Sequence, residues 1–255
     1  MSIVVAVKGP SGLALAADSR RTVFVGSDPQ QSEGPGHYLT WDGDEKVFGF
    51  SPPHSHIGLL LYGVMRQAFE PTSLLVAEVE SRLPERRLSV LEYARHGREV
   101  LAARAARADG SLLPFQMHAI VAGYDEDGTA RVYTVEFPGA GAPVEQHTGG
   151  LGITYGGMRE LIDRLLAGYD SALLEAGAAL DSAKDLDALH LPIALSTMSI
   201  KDSVELAMFL VRTTIEGRAS TAAAQRERGS KSKALDGRTA RIAGSGYGYL
   251  DVCTR

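Results

Sequence analysis

The chain has 255 residues, 44% of them hydrophobic and 22% charged, a composition that suits a soluble globular protein with one sizeable core. A formal net charge of −5 leaves no basic footprint for nucleic acid, and no apolar run approaches the roughly 20 residues that span a bilayer. The one cysteine, Cys253, excludes an internal disulfide framework; with no signal-like stretch at Met1 to Lys8, the expected compartment is a reducing cytoplasm.

Ile3 to Val7 is a β-branched run that stops at Gly9-Pro10-Ser11-Gly12, and Leu13 to Ala17 is a second apolar run ending at Asp18. The two predict a hairpin, and their near-continuous apolar character predicts strands buried on both faces. Gly26 to Gly43 is rich in Gly, Pro, Ser, Gln and Asp and reads as a surface loop, part of an insertion near 24–44. Lys46 to Phe50 and His56 to Tyr62 predict a second hairpin around Ser51-Pro52-Pro53. Helical spacing follows over Val64 to Leu83, with Pro71 in a first turn or a break, and over Leu88 to Ala108, ended by Asp109-Gly110. Strands return at Met117 to Tyr124 and Ala130 to Phe137, joined by Asp125-Glu126-Asp127-Gly128. The glycine-rich Gly149-Gly150-Leu151-Gly152 leads into a predicted helix from Met158 to Ala179. Another runs from Ile200 to Glu216, capped around Lys201-Asp202-Ser203. A polar, basic insertion near 217–238 precedes two closing strands, Thr239 to Ala243 and Tyr249 to Thr254. This grouping predicts one α+β domain over 1–255, with helices outside stacked antiparallel sheets.

The chemistry centres on the first twenty residues. Removal of Met1 would leave Ser2 with a free α-amine beside its hydroxyl. An α-amine has a pKa of about 7.7–8.0 and can take the hydroxyl proton near neutral pH, which a serine needs to act as a nucleophile. Asp18, Arg20 and Lys46 are the charged candidates to organise that pair. A buried lysine would favour the less protonated forms of its neighbours, and Asp18 would hold it in place. Read singly, each has a bland account: a common Met-Ser start, a strand-end Asp bridging to Arg20, a solvated strand-end Lys.

Ser2-Ile3-Val4-Val5-Ala6-Val7-Lys8, the glycine turn and Leu13-Ala14-Leu15-Ala16-Ala17-Asp18-Ser19-Arg20 resemble the opening of mature proteasome β subunits and their bacterial relatives, which are N-terminal-nucleophile (Ntn) hydrolases. In that family an Asp lies sixteen residues after the nucleophile and an Arg two beyond it. Ser2, Asp18 and Arg20 stand in that register without a gap. Lys46-Val47-Phe48 is similar to the family's lysine-led strand, after a longer loop, and Tyr62-Gly63 to the turn whose backbone N–H groups face the oxyanion. Gly244-Ser245-Gly246 to Val252 resembles the closing strand. The resemblance implies a four-layer αββα sandwich, the Ntn hydrolase fold, assembled into stacked homo-oligomeric rings of six or seven subunits. It implies an amide hydrolase acting on peptides or unfolded protein, with no cofactor and no metal, and it admits an unfolding ATPase as a partner. It offers no nucleic-acid or membrane partner.

Three departures from the family pattern stand in the sequence. Serine replaces the usual threonine, and Leu151 stands where a serine normally follows the first Gly of the glycine-rich motif. The segment Arg212-Thr213-Thr214-Ile215-Glu216-Gly217 has Thr213 and Glu216 at about the places of an Asp and a Ser. Two alternatives therefore remain at this level: a non-catalytic ring protein in which the charges survive as ion pairs, and a hydrolase or ligase for one defined substrate. Gly150-x-Gly152 lacks the spacing of a phosphate loop, and His54 and His56, two apart in a turn, show no metal partner.

Overall fold

The computed structural model describes residues 2–25, 37–65, 71–105, 115–137, 141–166, 193–230 and 249–250. They form a mixed α+β structure with several sheets and four helices. Strands β1 (Ile3–Gly9) and β2 (Gly12–Ala17) make the expected hairpin, in register from Val4↔Ala17 to Gly9↔Gly12. β3 (Arg20–Val25) and β4 (His37–Asp42) pair as a two-stranded ribbon. A five-stranded antiparallel sheet runs β5 (Val47–Gly49), β6 (Ile57–Met65), β7 (Phe115–Tyr124), β8 (Ala130–Phe137) and β9 (Val144–Glu145) in that order. β10 (Gly152–Gly157) and β11 (Tyr249–Leu250) complete the first sheet, in the order β10-β1-β2-β11. The helices are α1 (Thr72–Ser81), α2 (Val90–Ala105), α3 (Glu160–Leu166) and α4 (Ile200–Ser230).

The two-residue period of a strand sorts the apolar side chains into three cores. On β1, Ile3, Val5 and Val7 pack with Ala207, Leu210 and Val211 of α4 and Ile162 of α3, while Val4 and Ala6 point the other way. That second face meets Val47, Leu60, Ile120, Ala122 and Val132 of the five-stranded sheet. The far side of the five-stranded sheet, through Leu59, Leu61, Ala119, Val121 and Val135, packs on Val76 and Val79 of α1 and Tyr93 and Leu101 of α2. β1 and β2 therefore carry apolar residues at successive positions because both their faces are covered, and every residue of both strands is buried.

Several boundaries differ from the sequence reading. The supposed loop over Gly26 to Gly43 contains β4. The stretch His37-Tyr38-Leu39-Thr40-Trp41 is rich in strand formers, and the Gly/Pro-rich residues ahead of it masked the signal; 26–36 lie outside the described residues. Helical spacing from Val64 gave way to strand, since β6 runs to Met65 and α1 opens only after Pro71, its N-cap. The insertion at 217–238 is helical as far as Ser230; its Ala and Arg residues are strong helix formers, and basic composition alone suggested a loop. The α4 cap is Ser199, not 201–203. Ser199 Oγ accepts the Asp202 N–H and Asp202 Oδ2 accepts the Ser199 N–H, a reciprocal capping box. Of the predicted helix Met158 to Ala179, Glu160–Leu166 is seen, and 167–179 lie outside the described residues, as do 231–238, Thr239 to Ala243 and 251–254.

Candidate functional site

Asp18 is the hub of the candidate site. It follows the last residue of β2, where the hairpin returns to the start of β1, and its N–H donates to the Ile3 carbonyl at 3.1 Å. Its carboxylate is buried at 6% exposure. Oδ1 accepts the Ile3 N–H at 2.8 Å and the Lys46 ammonium at 2.8 Å, and Oδ2 accepts the Arg20 N–H at 3.2 Å. One oxygen thus joins the residue after Ser2 to the lysine ahead of β5. Lys46, 5% exposed, also donates to the Arg20 carbonyl. Burial pulls the Lys46 pKa below the ordinary lysine value, and the Asp18 carboxylate opposes that shift.

Arg20 does not bridge to Asp18 through its guanidinium, as the bland reading had it. Its Nε and Nη2 form a two-point pair with Asp42 at 2.8 and 3.1 Å, on the exposed side of the β3–β4 ribbon. The pair lifts the Arg20 pKa and lowers that of Asp42. Only the Arg20 backbone touches the buried pair, with the N–H on Asp18 and the carbonyl on Lys46.

Ser2 lies half-buried ahead of β1. Its carbonyl accepts the Met158 N–H at 2.9 Å, and Ile3 lies opposite Gly157 in the β1–β10 ladder. Gly157 has φ +93°, and a Cβ there would overlap the Ser2 carbonyl oxygen. Next to it, a Cβ on Gly156 would overlap the Tyr62 ring. Two successive glycines thus let β10 approach both Ser2 and β6. Gly149-Gly150-Leu151-Gly152 leads into β10 at the opposite end of β1 from Ser2, where Gly152 faces Lys8. Lys8 there donates to the His147 carbonyl at 3.0 Å. Leu151 is accordingly not a neighbour of Ser2. Gly156, Gly157 and Met158 are the residues the sequence reading missed, and the Gly-Gly pair just before the α3 pattern was the available signal.

Gly63 lies within β6 with φ +130°, opposite Met117. Leu61 donates its N–H to the Lys46 carbonyl at 3.2 Å, on the β5 side of β6. The strand period places the Gly63 N–H on that same edge, past the start of β5 and toward the Asp18–Lys46 end of the molecule. The helix segment Arg212 to Gly217 does not end near Gly217, since α4 continues to Ser230. His54 and His56 are buried, and each binds a backbone carbonyl through Nε2, Pro84 at 2.9 Å and Leu88 at 2.8 Å, which ties the β5–β6 turn to the α1–α2 connection. Among the described residues no three His, Cys, Asp or Glu side chains gather in a way that could hold a metal, and no helix is long and apolar enough to cross a membrane. The chain matches no protein-family model and no curated protein.

Proposed function

We propose that the protein is a proteasome-type N-terminal-nucleophile hydrolase that cleaves peptides or unfolded protein after Met1 is removed. The observation that carries this reading is the single Asp18 oxygen holding both the Ile3 N–H and the buried Lys46 ammonium. A charge pair so deep is costly to bury. Here it sits at the residue following a small hydroxyl side chain, which is where such chemistry would use it. Two sheets sharing one apolar core, with α1 and α2 outside one and α3 and α4 outside the other, support a four-layer αββα sandwich. Stacked homo-oligomeric rings, which would seclude an unselective site in a cytoplasm, belong to the same proposal.

In the proposed reaction the Ser2 amine takes the Oγ proton while Oγ bonds to the substrate carbonyl carbon. The Gly63 N–H, on the Lys46 side of β6, donates to the oxyanion. The C–N bond then breaks, the leaving amine takes the proton from the Ser2 ammonium, and water hydrolyses the ester to restore Oγ–H. Lys46, held by Asp18, keeps positive charge beside the pair and disfavours protonation of the amine. Intact mass together with a peptide bearing an electrophilic carbonyl tests this. Loss of Met1 and a one-to-one adduct on Ser2, abolished in Ser2→Ala, are expected. A retained Met1 would acylate the base and leave an inert protein of the same fold.

A further inference from the structure

A cavity of about 300 Å³ opens between the edge strand β10 and the faces of β6, β7 and β8, with Tyr62, His118, Glu136, His147, Thr154 and Arg159 in its wall. This is at the small end of ligand-binding cavities. Two polar atoms of the wall are shielded from solvent yet have no protein partner, Thr154 Oγ1 and His147 Nε2. Thr154 is 7% exposed. An orphaned buried hydroxyl is costly and calls for a partner in the adjoining space.

The charges at the mouth are of opposite sign. Arg159 Nε donates to Asp163 at 3.1 Å, and that carboxylate is fixed by the Tyr155 hydroxyl at 2.6 Å, so the guanidinium is held in place while 63% of its side chain stays exposed. Glu136 is 79% exposed, with Oε1 at 4.0 Å from His118 Nδ1. Tyr62 stacks on His118 at 5.1 Å and forms a flat wall between these poles. Both charges act on the Tyr62 hydroxyl: burial and then Glu136 raise its pKa, while Arg159 lowers it. A simple anion would meet Glu136 and the Asp163 behind the arginine, and a simple cation would meet Arg159.

We propose that this cavity binds a small zwitterion, a free α-amino acid or a dipeptide. Its carboxylate faces Arg159, its ammonium faces Glu136, and its polar atoms satisfy Thr154 and His147. The site does not depend on Ser2 chemistry. Calorimetric titration of the full chain with alanine and alanylalanine tests it, against acetate, methylamine and N-acetylalanine methylamide. Saturable binding of a zwitterion is expected, with each of the three comparison probes weaker by about tenfold or more. Glu136→Gln and Thr154→Val should each weaken zwitterion binding by about tenfold, and Ser2→Ala should leave it unchanged. Thr154→Val removes an unpaired hydroxyl and should keep or raise the melting temperature, and Glu136→Gln is a surface change, so both stay folded. No saturation by either zwitterion, equal binding of a comparison probe, or unchanged affinity in folded Thr154→Val would each overturn the assignment.

Discussion

Asp18→Asn is the sharpest perturbation of the site, because it changes charge while keeping shape. The side chain accepts the Ile3 N–H and Lys46 on one oxygen and the Arg20 N–H on the other. An asparagine retains one acceptor and must turn an NH₂ toward either the Arg20 N–H or the Lys46 ammonium, so one donor meets a donor. Asp18 and Lys46 side chains are only 7% and 5% exposed, so solvent screens the pair little. Breaking a buried pair by removing one member costs about 3–5 kcal/mol, and that is the loss expected near pH 7. Lys46→Met alone leaves Asp18 with two backbone donors and should cost about 1–3 kcal/mol. The double variant should then show a coupling of about 2 kcal/mol. The pH dependence has a definite sign. Burial already lowers the folded pKa of Lys46, and loss of Asp18 removes the opposing attraction and lowers it further. The unfolded chain then binds more protons than the folded one over a window that reaches further below lysine's ordinary value, so stability rises with pH through that window. The Asp18→Asn deficit should therefore shrink as pH rises from about 7 toward about 10. Urea denaturation followed by circular dichroism at both pH values measures all of this. A loss under about 1 kcal/mol, or a deficit that is flat with pH and additive with Lys46→Met, would refute the view that this pair organises the start of β1.

The remaining predictions probe the β10 side of Ser2. Gly157→Ala combines a φ of +93° with a Cβ that would overlap the Ser2 carbonyl oxygen, so it should cost well over the roughly 1–2 kcal/mol of left-handed strain alone and abolish Ser2 labelling. Gly43→Ala, at φ +106° with nothing within 4 Å, should show only that strain, and comparing the two thermal melts isolates the contact. Leu151→Ser, far along β1 from Ser2, should leave the rate of Ser2 labelling within about twofold and stability within about 0.5 kcal/mol. A marked gain of labelling would place that glycine-rich turn beside Ser2 and refute the β1–β10 register.

Much of the fold was legible because it rests on short-range patterns. The continuous apolar runs of β1 and β2 announced strands covered on both faces, and Asp125-Glu126-Asp127-Gly128 announced the β7–β8 hairpin. A charge closing five apolar residues announced that Asp18 needed a partner, and Lys46 proved to be it, while Arg20, also a candidate, turned outward to Asp42. That choice is invisible in sequence, because it depends on β4 running alongside β3 and bringing Asp42 opposite Arg20. The position of the glycine-rich turn is invisible in sequence for a related reason. Motif spacing fixes which residues are glycines but not the register of β10 on β1, and that register sets Gly157 opposite Ile3, beside Ser2, and Gly152 opposite Lys8. Once that register is known, the bare backbone at 156–157 has a physical cause on each side, the Ser2 carbonyl on one and the Tyr62 ring on the other. The same pair of contacts connects the cavity wall to Ser2. Tyr62 walls the cavity and precedes Gly63, so the bare backbone at Gly156 sets how closely β10 can approach β6, while that at Gly157 sets how closely it can run beside Ser2 within its own sheet.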